Sequence, residues 1–111
     1  MLKKIPACPV ETALSVIGNK KLLILRDLLK GTLRFGQLKS SIGSVSQKVL
    51  TAQLRAMEAD GLVHREVYAE VPPWVEYSLT ETGLSLAPVI EAMSDWGQTY
   101  QEKHADLFEE G

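Results

Sequence analysis

Residues Ser46 to Arg55, SQKVLTAQLR, carry side chains whose types and spacing suit hydrogen bonding to base edges. A step of 100° per residue puts Leu50, Leu54 and Met57 on one side, at intervals of four and three, and so commits that side to a core. The opposite side then holds Lys48, Thr51, Ala52 and Arg55, with Gln47 at the exposed start and Ser46 as a good N-cap. Lys and Arg donate to guanine, Gln pairs with adenine, and the Ala or Thr methyl meets the methyl of thymine. An ordinary solvated helix face would more usually carry Glu and Lys, yet no acid occurs from Phe35 to Met57. With Lys39 and Arg65, which flank this helix, the candidate DNA-binding residues are Ser46, Gln47, Lys48, Thr51, Ala52, Arg55, Lys39 and Arg65.

These residues need elements that present them. FGQLKSSI reads as a short helix with Phe35, Leu38 and Ile42 on one face, and Gly43-Ser44-Val45 as a turn. SQKVLTAQLRAMEADG reads as a longer helix ending at Gly61. Two helices joined by a three-residue turn containing Gly form a helix-turn-helix, whose second helix can enter a major groove. LVHREVYA and VEYSL then read as strands joined through Glu70-Val71-Pro72-Pro73-Trp74, which makes the motif winged. Pro72-Pro73 forbids ladder pairing at the tip and stiffens it. The charges beside the tip, Glu66, Glu70 and Glu76, suit DNA poorly, and Arg65 is the only cation of the hairpin. The wing is therefore expected to add less electrostatic affinity than the recognition helix.

Net charge is −2, which at first argues against a nucleic-acid partner, but its distribution reverses that impression. Nine Lys/Arg against three acids give +6 between Lys20 and Arg65, whereas one base against ten acids gives −9 from Glu66 to Gly111. A basic half carrying the helix-turn-helix beside an acidic half fits a DNA binder with a separate interaction surface. The bland alternative is that both charge runs are simply solvated faces. The length fits one domain, with no repeat, low-complexity segment or internal linker. No apolar run approaches the roughly 20 residues needed to span a bilayer, and the N-terminus lacks a secretory pattern. One cysteine and no export signal make a cytoplasmic, membrane-free protein the expectation.

The remaining helices frame the motif. Residues 1–7 are expected to be loose. A first helix is expected from about Pro9 to Ile17, with Pro at the first helical position and Ala13, Leu14 and Ile17 as its apolar stripe. A second, about Lys20 to Leu29, has so little polar surface that it should be the most buried. Gly31 should end it, and Thr32-Leu33-Arg34 could add a short strand to the hairpin. From Thr80 onward Leu86, Val89, Ile90, Met93, Trp96, Gly97 and Tyr100 recur at three and four, with Pro88 placed to break or kink the run. Exposed, that stripe would be a large apolar patch. A second copy would cover it, and so, in part, would the first helix. The candidate dimer interface is Leu14, Leu86, Ile90, Met93, Trp96 and Tyr100.

Cys8 precedes Pro9 at a helix start, which favours the thiolate, and Lys3 and Lys4 would add to that effect. It is either a reactive thiol or an inert small residue. His64 and His104 lie at no metal-ligand spacing with each other or with Cys8. No Ser/His/Asp arrangement, Gly-rich phosphate loop or paired buried carboxylates stand out. Neither a metal, a cofactor nor an enzymatic activity is therefore expected.

CPVETALSVIG, LLILRDLLKGTLRFGQLK, SVSQKVLTAQLRAMEADGLVHREVY, EVPPWVEYSLTETG and the pair Trp96-Gly97 together resemble the HxlR-type group of bacterial winged-helix regulators, relatives of the MarR-like class. The resemblance spans about residues 8–97 of a single winged helix-turn-helix domain, mainly α with a small β-hairpin (α+β), and leaves 98–111 as a C-terminal helical extension. It implies a homodimeric, sequence-specific DNA-binding transcriptional regulator. Terminal dimerisation helices would let two recognition helices address a palindromic operator in double-stranded DNA. Many such proteins respond to oxidants, or to a small-molecule electrophile as effector, through a cysteine near the N-terminus. Cys8 holds the matching position and is the redox-sensing candidate. Two departures stand out. The Lys-Trp pair usual before the second helix is absent from Gly18-Asn19-Lys20-Lys21-Leu22, and the usual Pro-Pro-Arg wing tip reads Pro72-Pro73-Trp74. The alternative reading is a winged-helix module for protein–protein contact that no longer reads DNA.

Overall fold

The computed structural model describes residues 20–104 together with Pro9, Val10, Ala13 and Gly18. Pro9, Val10 and Ala13 are helical, as expected of a helix entered through Pro9. The other residues of the helix expected there, Leu14 among them, and Cys8 lie outside the described residues. The elements that follow are α1 (Lys21–Leu28), β1 (Leu33–Arg34), α2 (Phe35–Ile42), α3 (Gln47–Ala59), β2 (Val63–Tyr68), β3 (Trp74–Leu79), α4 (Glu81–Leu84) and α5 (Ala87–Lys103).

The core forms where apolar stripes of the helices meet over one face of the sheet. Ile24, Leu25 and Leu28 of α1, Leu38 of α2, Leu50, Leu54 and Met57 of α3, and Val45, Leu62 and Val63 make one buried cluster. The phase assigned to α3 thus holds, since all three of its expected core residues are buried. Half of α1 is buried, including Asp27. Burial pushes the Asp27 pKa up, but hydrogen bonds from Arg26 and Ser41 and the charges of Arg26 and Lys30 outweigh it, and the pKa falls below its ordinary value. The Arg26 Nε donates to Asp27 Oδ1 at 2.9 Å. A buried carboxylate is tolerated because Arg26 bonds and pairs with its Oδ1, while its buried Oδ2 accepts no hydrogen bond from a described residue.

The helix-turn-helix is set by its ends. The Arg34 backbone N–H donates to Gln37 Oε1 at 2.8 Å, which fixes the start of α2. Gly43 follows α2 at φ +78°, a left-handed conformation that a side chain disfavours, and it redirects the chain. Ser46 Oγ then accepts from the Val49 N–H at 3.1 Å and caps α3. The sheet has the order β1-β3-β2, all antiparallel, with Leu33 opposite Tyr77, Arg34 opposite Glu76 and Val63 opposite Leu79. The short strand before α2 is therefore present. Trp74 is not in the connection, as the sequence reading had it, but opens β3, paired with Tyr68. The two prolines before it conceal where pairing resumes, because only they lack the N–H.

After the hairpin the chain is tied back to the end of α3. The Thr80 N–H donates to Leu62 O at 3.0 Å, its hydroxyl donates to Gly61 O, and its Oγ1 accepts from the Gly83 N–H at 3.1 Å. From Thr80 onward the chain forms two helices, α4 ending at Leu84 and α5 starting at Ala87, but the break precedes the apolar run, which Pro88 neither breaks nor divides because it sits in the first turn of α5. Proline fits there, since the first helical N–H groups have no partner within the helix. No helix of the described residues is long and apolar enough to cross a membrane.

Candidate nucleic-acid interface

The outward side of α3 is assembled as its phase dictates. Gln47, Lys48, Thr51, Ala52 and Arg55 line one shallow, open depression on the surface. Lys48, Ala52 and Arg55 are exposed and Thr51 is half-buried. Beside it runs a groove of about 460 Å³ between α3 and the sheet, lined by Phe35, Gln47, Thr51, Leu54, Arg55, Glu58, Arg65, Val75 and Tyr77. Arg65 of β2 thus joins Arg55 across a groove, pointing to the recognition helix instead of the wing tip. Arg55 and Arg65 form no ion pair with any described residue; the described pairs are Arg26–Asp27 and His64–Glu66. Two guanidiniums against one carboxylate, Glu58, leave the groove net positive, which attracts an anion.

Ser46 takes the N-cap role expected of it, committing its oxygen to the helix, and Lys39 lies apart from this surface. Lys39 is half-buried in the last turn of α2 and lines neither the depression nor the groove. One residue was missed: Glu58 lines the groove, three positions after Arg55 and so on nearly the same side of α3. The acid-free stretch of sequence stops at Met57, one residue before it, and one more 100° phasing step was signal enough to find it.

The wing carries an aromatic cluster on the other face of the sheet. The Tyr68 and Trp74 rings stack at 4.9 Å between centroids, 14° from parallel. The Arg34 guanidinium lies 4.6 Å from the centre of the Trp74 ring. The Trp74 indole N–H donates to Glu76 Oε2 at 3.1 Å, and Glu66 Oε2 lies 3.0 Å from His64 Nε2. The Glu76 charge, with burial and the Glu66 charge, raises the Tyr68 pKa above its ordinary value. Arg65 is thus not the wing's only cation, since the fold brings Arg34 to it from forty residues upstream of Trp74.

The dimer candidates divide. Leu86 and Ile90 pack on the core of their own chain. Val89, Met93, Trp96 and Tyr100 remain 40%, 48%, 68% and 41% exposed, and no residue of α5 is buried. Trp96 stacks on Tyr100 at 5.2 Å, so the stripe is continuous along the helix.

Known proteins share this arrangement. The HxlR-like helix-turn-helix family matches residues 16–105. The HTH-type transcriptional regulator YdeP of Bacillus subtilis (strain 168) is 50% identical over 97 residues, which are 86% of this chain and 76% of YdeP. The redox regulator HypR in its oxidized form superposes with a TM-score of 0.79 at 49% identity, over 83% of this chain and 96% of HypR. Diamide-treated YodB from B. subtilis superposes with a TM-score of 0.70 at 36% identity, over 84% of this chain and 94% of YodB. A match over most of the chain, joined to an exposed cationic recognition helix beside a wing, places the protein in the HxlR-like helix-turn-helix family of DNA-binding transcriptional regulators.

Proposed function

We propose that the protein acts in the cytoplasm as a homodimer and reads a palindromic operator, with Gln47, Lys48, Thr51, Ala52 and Arg55 facing the major groove and Arg65 facing the backbone. The observation that carries this reading is the outward side of α3, exposed, cationic and continuous with a groove holding two guanidiniums that pair with no described residue. A two-fold dimer would set its half-sites about 34–36 Å apart, one turn of duplex. The exposed stripe from Val89 to Tyr100 supports pairing through α5, because an apolar patch of that kind is unfavourable in water. A protein–protein module would have no need of an acid-poor, open side on α3.

A redox response through Cys8 completes the reading. Its support is the likeness to HypR, a redox regulator solved in an oxidized form, and to YodB, solved after diamide treatment. Cys8 is the only cysteine of the chain, so its oxidised partner must be a second subunit or a small thiol.

Binding isotherms at several salt concentrations test the DNA face, on operator and scrambled duplexes. Lys48→Ala and Arg55→Ala truncate exposed residues and open no cavity. A lost base contact should cost about 1–3 kcal/mol and relax preference at one base pair, whereas a lost phosphate contact should lower the salt slope by about one unit on every sequence. Unchanged affinity in the double variant would overturn the assignment of this face.

A further inference from the structure

We propose that Arg34 contacts a phosphate of the bound duplex beside the wing, and that Trp74 is a positioning residue that holds it there. The proposal deepens the DNA-binding reading, on which it rests. Three observations meet at this point. First, the wing from Ala69 to Pro73 contains no Lys or Arg, so its connection offers nothing to neutralise a phosphate. Second, the nearest strand supplies the missing charge: Arg34, at the end of β1 and the start of the helix-turn-helix, lays its guanidinium 4.6 Å from the Trp74 ring centre. Third, Arg34 has no ion pair among the described residues. Glu76 is its partner in the strand register, yet the Glu76 carboxylate accepts the indole N–H at 3.1 Å, and Arg34 forms no salt bridge with any described residue.

The chemistry follows from the shape of the groups. A guanidinium held by its face on an aromatic ring keeps its edge N–H donors available, and those donors match phosphate oxygens. Tyr68 and Arg34 come to Trp74 from the two strands that flank β3, so the ring is held between neighbours on one face of the sheet. Trp74 therefore does two things at once. It offers Arg34 a surface, and its indole N–H holds one oxygen of Glu76, the residue opposite Arg34 in the strand register. Arg34 is exposed and lies on the sheet face opposite to the groove lined by Phe35, Gln47, Thr51 and Arg55. It is the N-cap residue of α2, the first helix of the helix-turn-helix, which crosses the backbone when the second helix enters the groove.

The test is a salt titration of duplex binding by fluorescence anisotropy, with wild type, Arg34→Ala, Trp74→Ala and the double variant, on operator and random duplexes. Arg34→Ala should lower the salt slope by about one unit on both duplexes, since one phosphate contact is lost. Trp74→Ala should lower it by a similar amount although it removes no charge, and it should add little once Arg34 is gone. A merely structural tryptophan would not change a salt slope. An Arg34→Ala slope equal to wild type, while Arg55→Ala still weakens binding, overturns the inference and leaves the DNA-binding face standing. Full additivity of the two substitutions removes the positioning role. Should Trp74→Ala fail to fold, Arg34→Ala decides the phosphate contact alone and Trp74→Phe tests the positioning role, being expected to lower the slope less than Trp74→Ala. Absence of wild-type binding to either duplex would instead count against the underlying reading.

Discussion

Adding one methyl group to Gly83 should do more damage than its size suggests. A Cβ built there would lie 2.2 Å from Leu62 O, 3.2 Å from Leu62 C and 3.1 Å from Leu79 Cδ2. An ordinary carbon–oxygen contact is about 3.3 Å or longer, so the two segments must part by roughly 1 Å. The obstacle is backbone, and it cannot rotate away as a side chain tip would. The same Leu62 carbonyl accepts the Thr80 N–H, and Thr80 also bonds Gly61 and caps α4. Overpacking costs about 1–3 kcal/mol and each weakened hydrogen bond about 1 kcal/mol, so Gly83→Ala should cost roughly 2–4 kcal/mol. For a domain of this size that lowers Tm by roughly 10 °C or more. Gly36→Ala is the matched control: it is exposed on α2 with nothing within 4 Å of the added carbon. Helix propensity should make that change neutral or stabilising by up to about 1 kcal/mol. Calorimetry or thermal circular dichroism at equal protomer concentration checks both, since assembly makes Tm concentration-dependent. Equal Tm values for the two variants would refute the argument that this close approach ties the α5 side of the molecule to the helix-turn-helix.

Trp96→Asp should shift the protein to monomer at micromolar concentration, because a carboxylate in a desolvated apolar interface is costly; a wild-type monomer in sedimentation velocity under the same conditions would contradict the α5 interface. Cys8→Ser should bind DNA as wild type does and lose any response to diamide. If diamide leaves the wild-type complex intact, Cys8 is not a sensor.

What could be read from the residues was the local part of the fold. The α3 phase followed from Leu50, Leu54 and Met57 alone, and the Phe35–Ile42 helix from Phe35, Leu38 and Ile42, because helical periodicity is a property of near neighbours. Ser46 was legible as a cap for the same reason. Contacts between distant segments were not. Nothing within a few residues of Arg34 announces Trp74, and the hydrophobic pattern of β2 is a poor guide, with Val63 buried and Val67 exposed on the same side of one strand. The difference lies in where β2 leaves the core: a wing projects from the body, so its outer half has nothing to bury against. The same cause places Trp74, whose partners Tyr68 and Arg34 are other wing and strand residues and not the core.

The charge pattern raises a final point about a protein of pI about 5.7 that binds a polyanion. At physiological ionic strength exposed charges are screened over about 8 Å, so a phosphate responds to the groups around it and not to the net charge of the chain. Around the α3 groove those groups are Arg55 and Arg65, with Lys48 on the adjoining depression and Glu58 as the one acid among the lining residues. The acids of the wing are partly engaged, Glu66 with His64 and Glu76 with the Trp74 indole. Those of α5, Glu91, Asp95 and Glu102, lie on the helix that bears the exposed apolar stripe. The acids of α5 therefore disfavour an approach of DNA along that helix, since like charges repel. An acidic pI is thus compatible with tight DNA binding, and the binding should still weaken steeply with salt because its local cations release counterions as any basic protein's would.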